Sequence, residues 1–214
     1  MYNLPYYKEK DPQEIMNFIA KNPFAFIAGV SESHQPVATQ IPVFMEERDG
    51  QQYMTGHMMK QTDHHKAFAA NPAVLCVFTG PHTYVSATWY KNPHQASTWN
   101  YMSVHVKGNL RFLDDEGLID VLKRTSLYFE NHDRASTTIY DNLAEDYTSK
   151  LMKAIVAFEI KVESMDHVFK LSQNRDQESY HSIIEKLENK DEQGKAIAAE
   201  MQKRAGHLFP SEGQ

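Results

Sequence analysis

Apolar and polar residues alternate along several stretches of the chain, and elsewhere they form short apolar runs. Alternation predicts β-strands with one buried face, whereas an unbroken apolar run such as 24–30 predicts a strand buried on both faces. Asp49-Gly50 lies between two alternating stretches and predicts a tight hairpin. Strands are expected at residues 24–30, 36–47, 52–58, 73–80, 83–90, 98–114 and 155–165, with a further short one at 168–172.

Helical periodicity appears between these strands. Asp11, Pro12 and Glu14 form a helix start signal, since Asp caps well, Pro suits the first turn and Glu completes a capping box. Single helices interrupt the strands without a regular β-α-β alternation, so the sequence predicts an α+β, mainly β fold: an antiparallel barrel with helices packed outside it. Further helices are expected at residues 62–71, 115–131, 144–154, 177–189 and 192–206.

The long strand that contains the second tryptophan has two contrasting faces, because alternate side chains share a face. Met102, Val104 and Val106 form an apolar face that we expect in the core. The opposite face is aromatic and polar and carries Trp99 and His105. This face either lines a cleft and stacks on a flat aromatic ligand, or packs in the core with hydroxyl and amide partners.

Composition and charge narrow the cellular context. The 214 residues carry a net charge of −6 and fit one large domain. Acidic residues outnumber Lys and Arg over 176–206, so the charge does not support DNA as a partner, although that partner stays open. The sequence has neither a membrane-length apolar run nor a signal-peptide core, which predicts a cytoplasmic protein without membrane contact. The single cysteine, Cys76, is expected to be a buried structural thiol.

Cationic and amide side chains cluster where a predicted strand meets a predicted helix. These residues are Lys170, Gln173, Asn174 and Arg175. A solvated turn is one explanation; the other is an anion site, because the Arg fork suits a phosphate. Lys60 precedes another helix N-terminus, where backbone N–H groups favour anions. Two such junctions, together with the aromatic and polar face of the long strand, indicate a mononucleotide-like ligand.

The histidines do not predict a metal site. His64 and His65 are adjacent on a predicted helix, so they point in different directions and cannot easily share a metal ion. His57 and His105 lie on predicted strands and are better candidates for contacting an organic ligand.

The segments MYNLPYY, GHMMK, VFTGPHTYVSATWY, TWNYMSVHVKG and KLSQNR resemble the PaiB family, which is described as FMN-binding negative regulators of transcription. The resemblance implies a split β-barrel related to flavin reductases and pyridoxamine phosphate oxidases, and a homodimer with FMN at the subunit interface. The chain departs from the family pattern after GHMMK, where His65 stands in place of a Trp. The expected FMN-binding residues are His57, Met58, Lys60, Trp99, Asn100, His105, Lys170, Gln173, Asn174 and Arg175.

Three functions are compatible with this resemblance. The first is an FMN-binding homodimer that acts as a redox- or flavin-linked negative regulator of transcription. The second is an FMN-dependent oxidoreductase, although the motifs G-x-S-x-G, H-E-x-x-H and C-x-x-C are absent and no catalytic residue is assigned. The third is a haem-binding protein on the same barrel, with a His as iron ligand. We expect residues 1–175 to form the barrel domain and 176–214 a helical extension packed on it.

Overall fold

A computed structural model describes residues 1–210. Within this range the chain forms seven β-strands, six α-helices and three 3₁₀ turns. The strands are β1 (Phe24–Val30), β2 (Pro36–Pro42), β3 (Phe44–Arg48), β4 (Gln51–Met59), β5 (Ala73–Val85), β6 (Thr98–Phe112) and β7 (Ile155–Lys170). The helices are α1 (Pro12–Lys21), α2 (Asp63–Ala70), α3 (Asp115–Phe129), α4 (Glu145–Ala154), α5 (Gln177–Glu188) and α6 (Glu192–Leu208). The 3₁₀ turns are Pro5–Tyr7, Ala87–Trp89 and Tyr140–Asn142.

The seven strands belong to one sheet, in the order β2-β1-β5-β6-β7-β4-β3. Antiparallel pairing joins β1 to β2 and to β5, and joins β4 to β3 and to β7. The predicted mainly β architecture with antiparallel strands and flanking helices is therefore confirmed. None of the helices within residues 1–210 combines the length and the apolar character that a bilayer crossing requires.

The hairpin between β3 and β4 turns where the sequence predicts it. Asp49 and Gly50 both have left-handed backbone angles, with φ of 52° and 74°. Positive φ at both positions is the mark of a type I′ turn, whose backbone twist matches the twist of the flanking strands. Glycine adopts this conformation without the penalty that a Cβ would bring.

The chain divides into two compact units, which we call the first and the second unit. The first unit comprises residues 1–18, 79–104 and 166 onward. Inside it the rings of Phe18 and Phe169 lie 5.2 Å apart, and the Tyr180 hydroxyl on α5 donates to the Met201 carbonyl on α6 at 2.9 Å. The predicted extension over 176–214 stays a prediction, and its residues 211–214 lie outside the described part.

The second unit comprises residues 19–78 and 105–165. It holds the hairpins β1–β2 and β3–β4 together with α2, α3 and α4. In its core, Leu118, Val121 and Leu122 of α3 pack with Ile155 and Ala157 of β7. Cys76 is fully buried in this unit, as the sequence predicts.

The chain between 73 and 90 differs from the prediction of two strands. One strand, β5, runs through Gly80-Pro81 to Val85, and a 3₁₀ turn replaces the end of the second predicted strand. On the β1 side Pro81 removes no ladder hydrogen bond, because β1 pairs with β5 only over Leu75–Val77. The 3₁₀ turn forms because the Ser86 hydroxyl accepts the N–H of Thr88 at 3.2 Å.

Two further strand boundaries differ, while the faces of β6 match the prediction. The stretch 36–47 divides into β2 and β3 at Val43, whose N–H donates to the Pro23 carbonyl at 2.9 Å. The two strands expected after residue 155 form the single strand β7. On β6 the even positions from Asn100 to Leu110 are buried, including the predicted apolar face, and Trp99 is 53% exposed on the opposite face.

Candidate functional site

Residues 171–175 form a tight turn between β7 and α5, which we call the junction turn. Ser172 has a left-handed φ of 62°, and its carbonyl accepts the N–H of Arg175 at 3.0 Å. The Gln173 amide closes the turn from the side: its oxygen accepts the N–H of Leu171 at 2.8 Å, and its nitrogen donates to the Phe169 carbonyl at 2.6 Å. The side chain of Gln173 therefore supports the turn itself.

Asn100 anchors the junction turn from β6. Its side chain is fully buried, and its Oδ1 accepts the hydroxyl proton of Ser172 at 3.0 Å. Its Nδ2 donates to the sulfur of Met201 at 3.5 Å. The arrangement makes Asn100 a buried support for the backbone that carries the cationic residues.

A small cavity of about 190 Å³ opens beside the junction turn, and we call it the anion pocket. Ligand sites for whole drug-sized molecules usually measure about 300–1,000 Å³, so this pocket suits an end group and not a whole nucleotide. It is lined by Tyr7, Ala96, Ser97, Thr98, Asn100, Lys170, Ser172, Asn174 and Arg175.

Two cations face the anion pocket, and its lining contains no carboxylate. The Lys170 ammonium donates to the hydroxyl of Thr98. Burial and the nearby Arg175 guanidinium lower the pKa of Lys170. A bound anion would offset the repulsion between Lys170 and Arg175, since opposite charge close by favours the charged form of a lysine.

A larger cavity of about 600 Å³ in the same unit has a different charge balance. It lies along the N-terminal segment and α6 and includes Lys8 and Arg204. Arg204 donates to Glu9 at 2.9 Å and to Glu200 at 2.7 Å, and Lys8 forms an ion pair with Asp166. Because carboxylates already neutralise these cations, the smaller anion pocket is the better candidate site for an anionic ligand.

Comparison with known proteins shows which family the chain resembles. Residues 1–164 match the family described as "Putative FMN-binding domain". The Bacillus subtilis (strain 168) protein named "Protease synthase and sporulation protein PAI 2" is 34% identical over 201 residues, which cover 94% of this chain and 96% of that protein. The chain belongs to the PaiB family. The family match supports a flavin as the ligand of this PaiB-family protein.

Solved structures confirm the fold of the PaiB-family protein. The flavocytochrome Anf3 from Azotobacter vinelandii has a TM-score of 0.56 and 15% identity, covering 79% of this chain and 72% of that one. The FAD and heme binding protein from Mycobacterium smegmatis has a TM-score of 0.52 and 17% identity, covering 76% and 72%. The predicted split antiparallel barrel with flanking helices is confirmed at the level of fold.

Four predicted ligand residues of the PaiB-family protein belong to the second unit and do not line the anion pocket. Met58 is buried in the core, and burial lowers the pKa of the half-buried His57 on the same strand. Lys60 directs its ammonium to the Met152 carbonyl at 3.4 Å. His105 lies half-buried on the outward face of β6. Their roles toward a ligand stay predictions.

Trp99 takes part in an exposed aromatic patch of the first unit, formed by His82, Tyr84 and Trp99. The ring of Trp99 lies 6.1 Å from that of Tyr84 and 6.2 Å from that of His82. Thr98 and Asn100 line the anion pocket from one face of β6, whereas Trp99 projects from the other. The predicted stacking residue and the pocket therefore use opposite faces of the same strand.

Sequence reasoning missed several residues of the anion pocket. Tyr7, Ser97 and Thr98 line it, and Gln95 accepts a hydrogen bond from the Arg175 guanidinium. These residues lie roughly 70–170 positions away from the junction turn in the chain, and no periodicity connects them to it. The hydroxyl-rich QASTW segment is the one signal that could have pointed to them. The family match ends at residue 164, so it does not cover the junction turn either.

Proposed function

We propose that this PaiB-family protein binds FMN, with the phosphate of the cofactor in the anion pocket. The observation that carries the proposal is the pairing of Lys170 and Arg175 around a small cavity without a carboxylate in its lining. Phosphate recognition needs charge together with hydrogen-bond donors, and an Arg side chain supplies both in a planar fork.

The residues of the pocket fit the phosphate end of the cofactor. Arg175 would donate two parallel hydrogen bonds, Lys170 would supply a point charge, and the Asn174 amide and the Ser97 and Thr98 hydroxyls would bind the remaining oxygens. The flavin ring, when bound, supplies the capacity to exchange electrons. The pocket volume leaves that ring outside the cavity, so the ring must be held by other surfaces.

The second part of the proposal is a homodimer. The aromatic patch formed by His82, Tyr84 and Trp99 is exposed on the outer face of the sheet, and aromatic residues are enriched in interface cores. Such a contact would bring the outward face of β6 to a second copy of the chain. Sedimentation at micromolar concentration should give twice the chain mass of 24.7 kDa, and a monomer that still binds flavin would refute the dimer.

The third part is a cytoplasmic, flavin-linked negative regulator of transcription. The relationship to the protein named "Protease synthase and sporulation protein PAI 2" supports a role linked to sporulation, which agrees with the regulator that the PaiB resemblance implies. The net charge of −6 favours an indirect effect on transcription, because direct binding to DNA relies on basic surfaces. A mobility-shift assay at stated salt tests direct binding, and turnover of reduced nicotinamide by the flavin-loaded protein tests the oxidoreductase alternative.

Arg175→Ala tests the phosphate assignment. A charge-assisted hydrogen bond contributes about 1.5–3 kcal/mol, so the variant should bind FMN about ten- to a hundredfold more weakly and riboflavin with unchanged affinity. Arg134→Ala is the matched control, since Arg134 is an exposed arginine in the second unit. Equal losses for both ligands would reject the assignment. A visible spectrum of the freshly purified protein separates flavin from haem.

A further inference from the structure

The guanidinium of Arg175 lies over the ring of Tyr90. Its central carbon is 4.1 Å from the ring centroid, well inside the distance at which a cation is attracted to an aromatic face. Tyr90 is only 5% exposed, so the ring side of this contact is shielded from water. Attraction between a cation and a ring is stronger when the pair is desolvated.

The backbone on both sides of Tyr90 is fixed. Tyr90 closes the 3₁₀ turn by donating its N–H to the Ala87 carbonyl at 3.1 Å, and the N–H of Ala87 donates to the Ser97 hydroxyl at 2.9 Å. On the other side, the N–H of Lys91 donates to the Ser179 hydroxyl at 2.9 Å. The ring is therefore a rigid surface under a long and otherwise flexible arginine.

Arg175 differs from other arginines of the chain in its partners. Arg204 pairs with Glu9 and Glu200, and the second unit likewise matches arginines with carboxylates. Within residues 1–210 no carboxylate lies within ion-pair distance of Arg175, whose guanidinium donates only to the Gln95 amide oxygen. Its charge is held by a ring and a neutral amide, so it stays available to an anion in the pocket.

Two buried polar atoms at this contact have no hydrogen-bond partner among the described residues. They are the hydroxyl of Tyr90 and the Nε of Arg175. Leaving a buried donor unsatisfied is unfavourable, and such groups in native proteins call for an explanation. At Arg175 the explanation is the ring of Tyr90, which takes the place of a hydrogen-bonded partner beside the guanidinium.

We propose that Tyr90 is a positioning residue for the anion pocket. The inference rests on the proposed function, because it assumes that Arg175 binds the phosphate of FMN. Tyr90 does not line the pocket itself; its ring holds the guanidinium in place, so that the remaining N–H groups of Arg175 can meet a phosphate. Pre-organisation of this kind lowers the ordering cost of binding. The consequence is selectivity for a flavin that ends in a phosphate over one that ends in a hydroxyl.

The test compares FMN and riboflavin affinities for Tyr90→Leu and Tyr90→Phe in the full chain. Tyr90→Leu removes the ring face and should reduce the preference for FMN over riboflavin by about two- to thirtyfold. Tyr90→Phe keeps the face and should retain the preference. Equal weakening of both ligands by Tyr90→Leu would show a purely structural role, and a Phe variant as poor as the Leu variant would show that the hydroxyl acts instead; each result overturns the proposal.

Arg175→Lys gives a readout that survives if the Leu variant fails to fold. Lysine keeps the charge but has no planar group to stack. The preference of Arg175→Lys for FMN over riboflavin should therefore fall close to that of Arg175→Ala. Full retention by the Lys variant would overturn the positioning role. The failure of the phosphate assignment is distinguishable, because it would appear as an unchanged preference in Arg175→Ala itself. Adding Tyr90→Leu to Arg175→Ala should then leave the preference unaltered, as expected for residues that act as one unit.

Discussion

The hydrogen bond between Asn100 and Ser172 gives a sharp test of how the junction turn is held. Asn100→Ala removes the acceptor of a buried hydroxyl, and Ser172→Ala removes the donor to a buried amide oxygen. Each change leaves one buried polar atom unsatisfied, so each should lower the free energy of unfolding by about 1–3 kcal/mol. The double variant leaves neither atom behind. Its loss of unfolding free energy should therefore be smaller than the sum of the losses in the two single variants by about 0.5–3 kcal/mol.

The assay is urea unfolding of the flavin-free protein, followed by far-UV circular dichroism. All variants must be measured at one protein concentration, because association between chains would add to the apparent stability. Asn3→Ala serves as the control, since Asn3 is exposed and the change should be within about 0.5 kcal/mol of zero. If the loss of unfolding free energy in the double variant equals the sum of the losses in the two single variants, the reasoning is refuted.

A flavin titration of the same variants separates two roles for Asn100. A residue that supports the turn from inside should change stability strongly and FMN affinity less than Arg175→Ala does. If Asn100→Ala keeps full stability yet loses as much affinity as Arg175→Ala, then Asn100 is a ligand contact, as the sequence pattern suggests.

Three further predictions concern other parts of the chain. Gly50→Ala should destabilise the fold by about 1–2 kcal/mol because φ is 74°, whereas Gly206→Ala in the open last turn of α6 should stabilise it by at most about 0.5–1 kcal/mol; chemical denaturation measures both. Burial raises the pKa of the Cys76 thiol to about 12, so a thiol-specific disulfide reagent at neutral pH should react only as fast as the protein unfolds. The neutral ring of His167 accepts the N–H of Glu9 at 2.8 Å, and burial lowers the pKa of His167 below its ordinary 6.5. This contact therefore stabilises the fold above that value and is lost as the pH falls, so His167→Gln should flatten the decline of the melting temperature below pH 6.5.

The parts of the fold that sequence predicted well are those that neighbouring residues determine. The burial of Met102, Val104 and Val106 follows from alternation alone, because the period of a strand is two residues. The end of β5 was predicted wrongly, since the choice between a strand and a 3₁₀ turn there depends on the hydroxyls of Ser86 and Ser97. Strand propensity does not include such contacts.

The candidate site shows the same division. Lys170 and Arg175, which line the cavity, are candidates from the sequence alone because their chemistry and their place at an element boundary are visible there. Tyr90 and Gln95 are not, because they meet Arg175 only through the fold, across about 80 positions of the chain. A pattern of residue types can identify the charged residues of a site. The side chains that orient those residues come from distant segments of the chain.

The proline in the middle of β5 has a consequence for how the protein behaves in a crowded solution. Pairing with β1 ends at Val77, while β5 continues to Val85. Beyond that pairing the strand is partly covered, since the N–H of His82 donates to the Gln193 side chain at 3.1 Å and Lys190 donates to the Tyr84 carbonyl at 3.5 Å. Any strand margin left uncovered is a place where another chain can add, and repeated addition leads to aggregates. Pro81 offers no N–H to an incoming strand, and its ring obstructs close approach. Pro81→Val should therefore raise light scattering on storage at high concentration, even if the isolated molecule remains as stable as before.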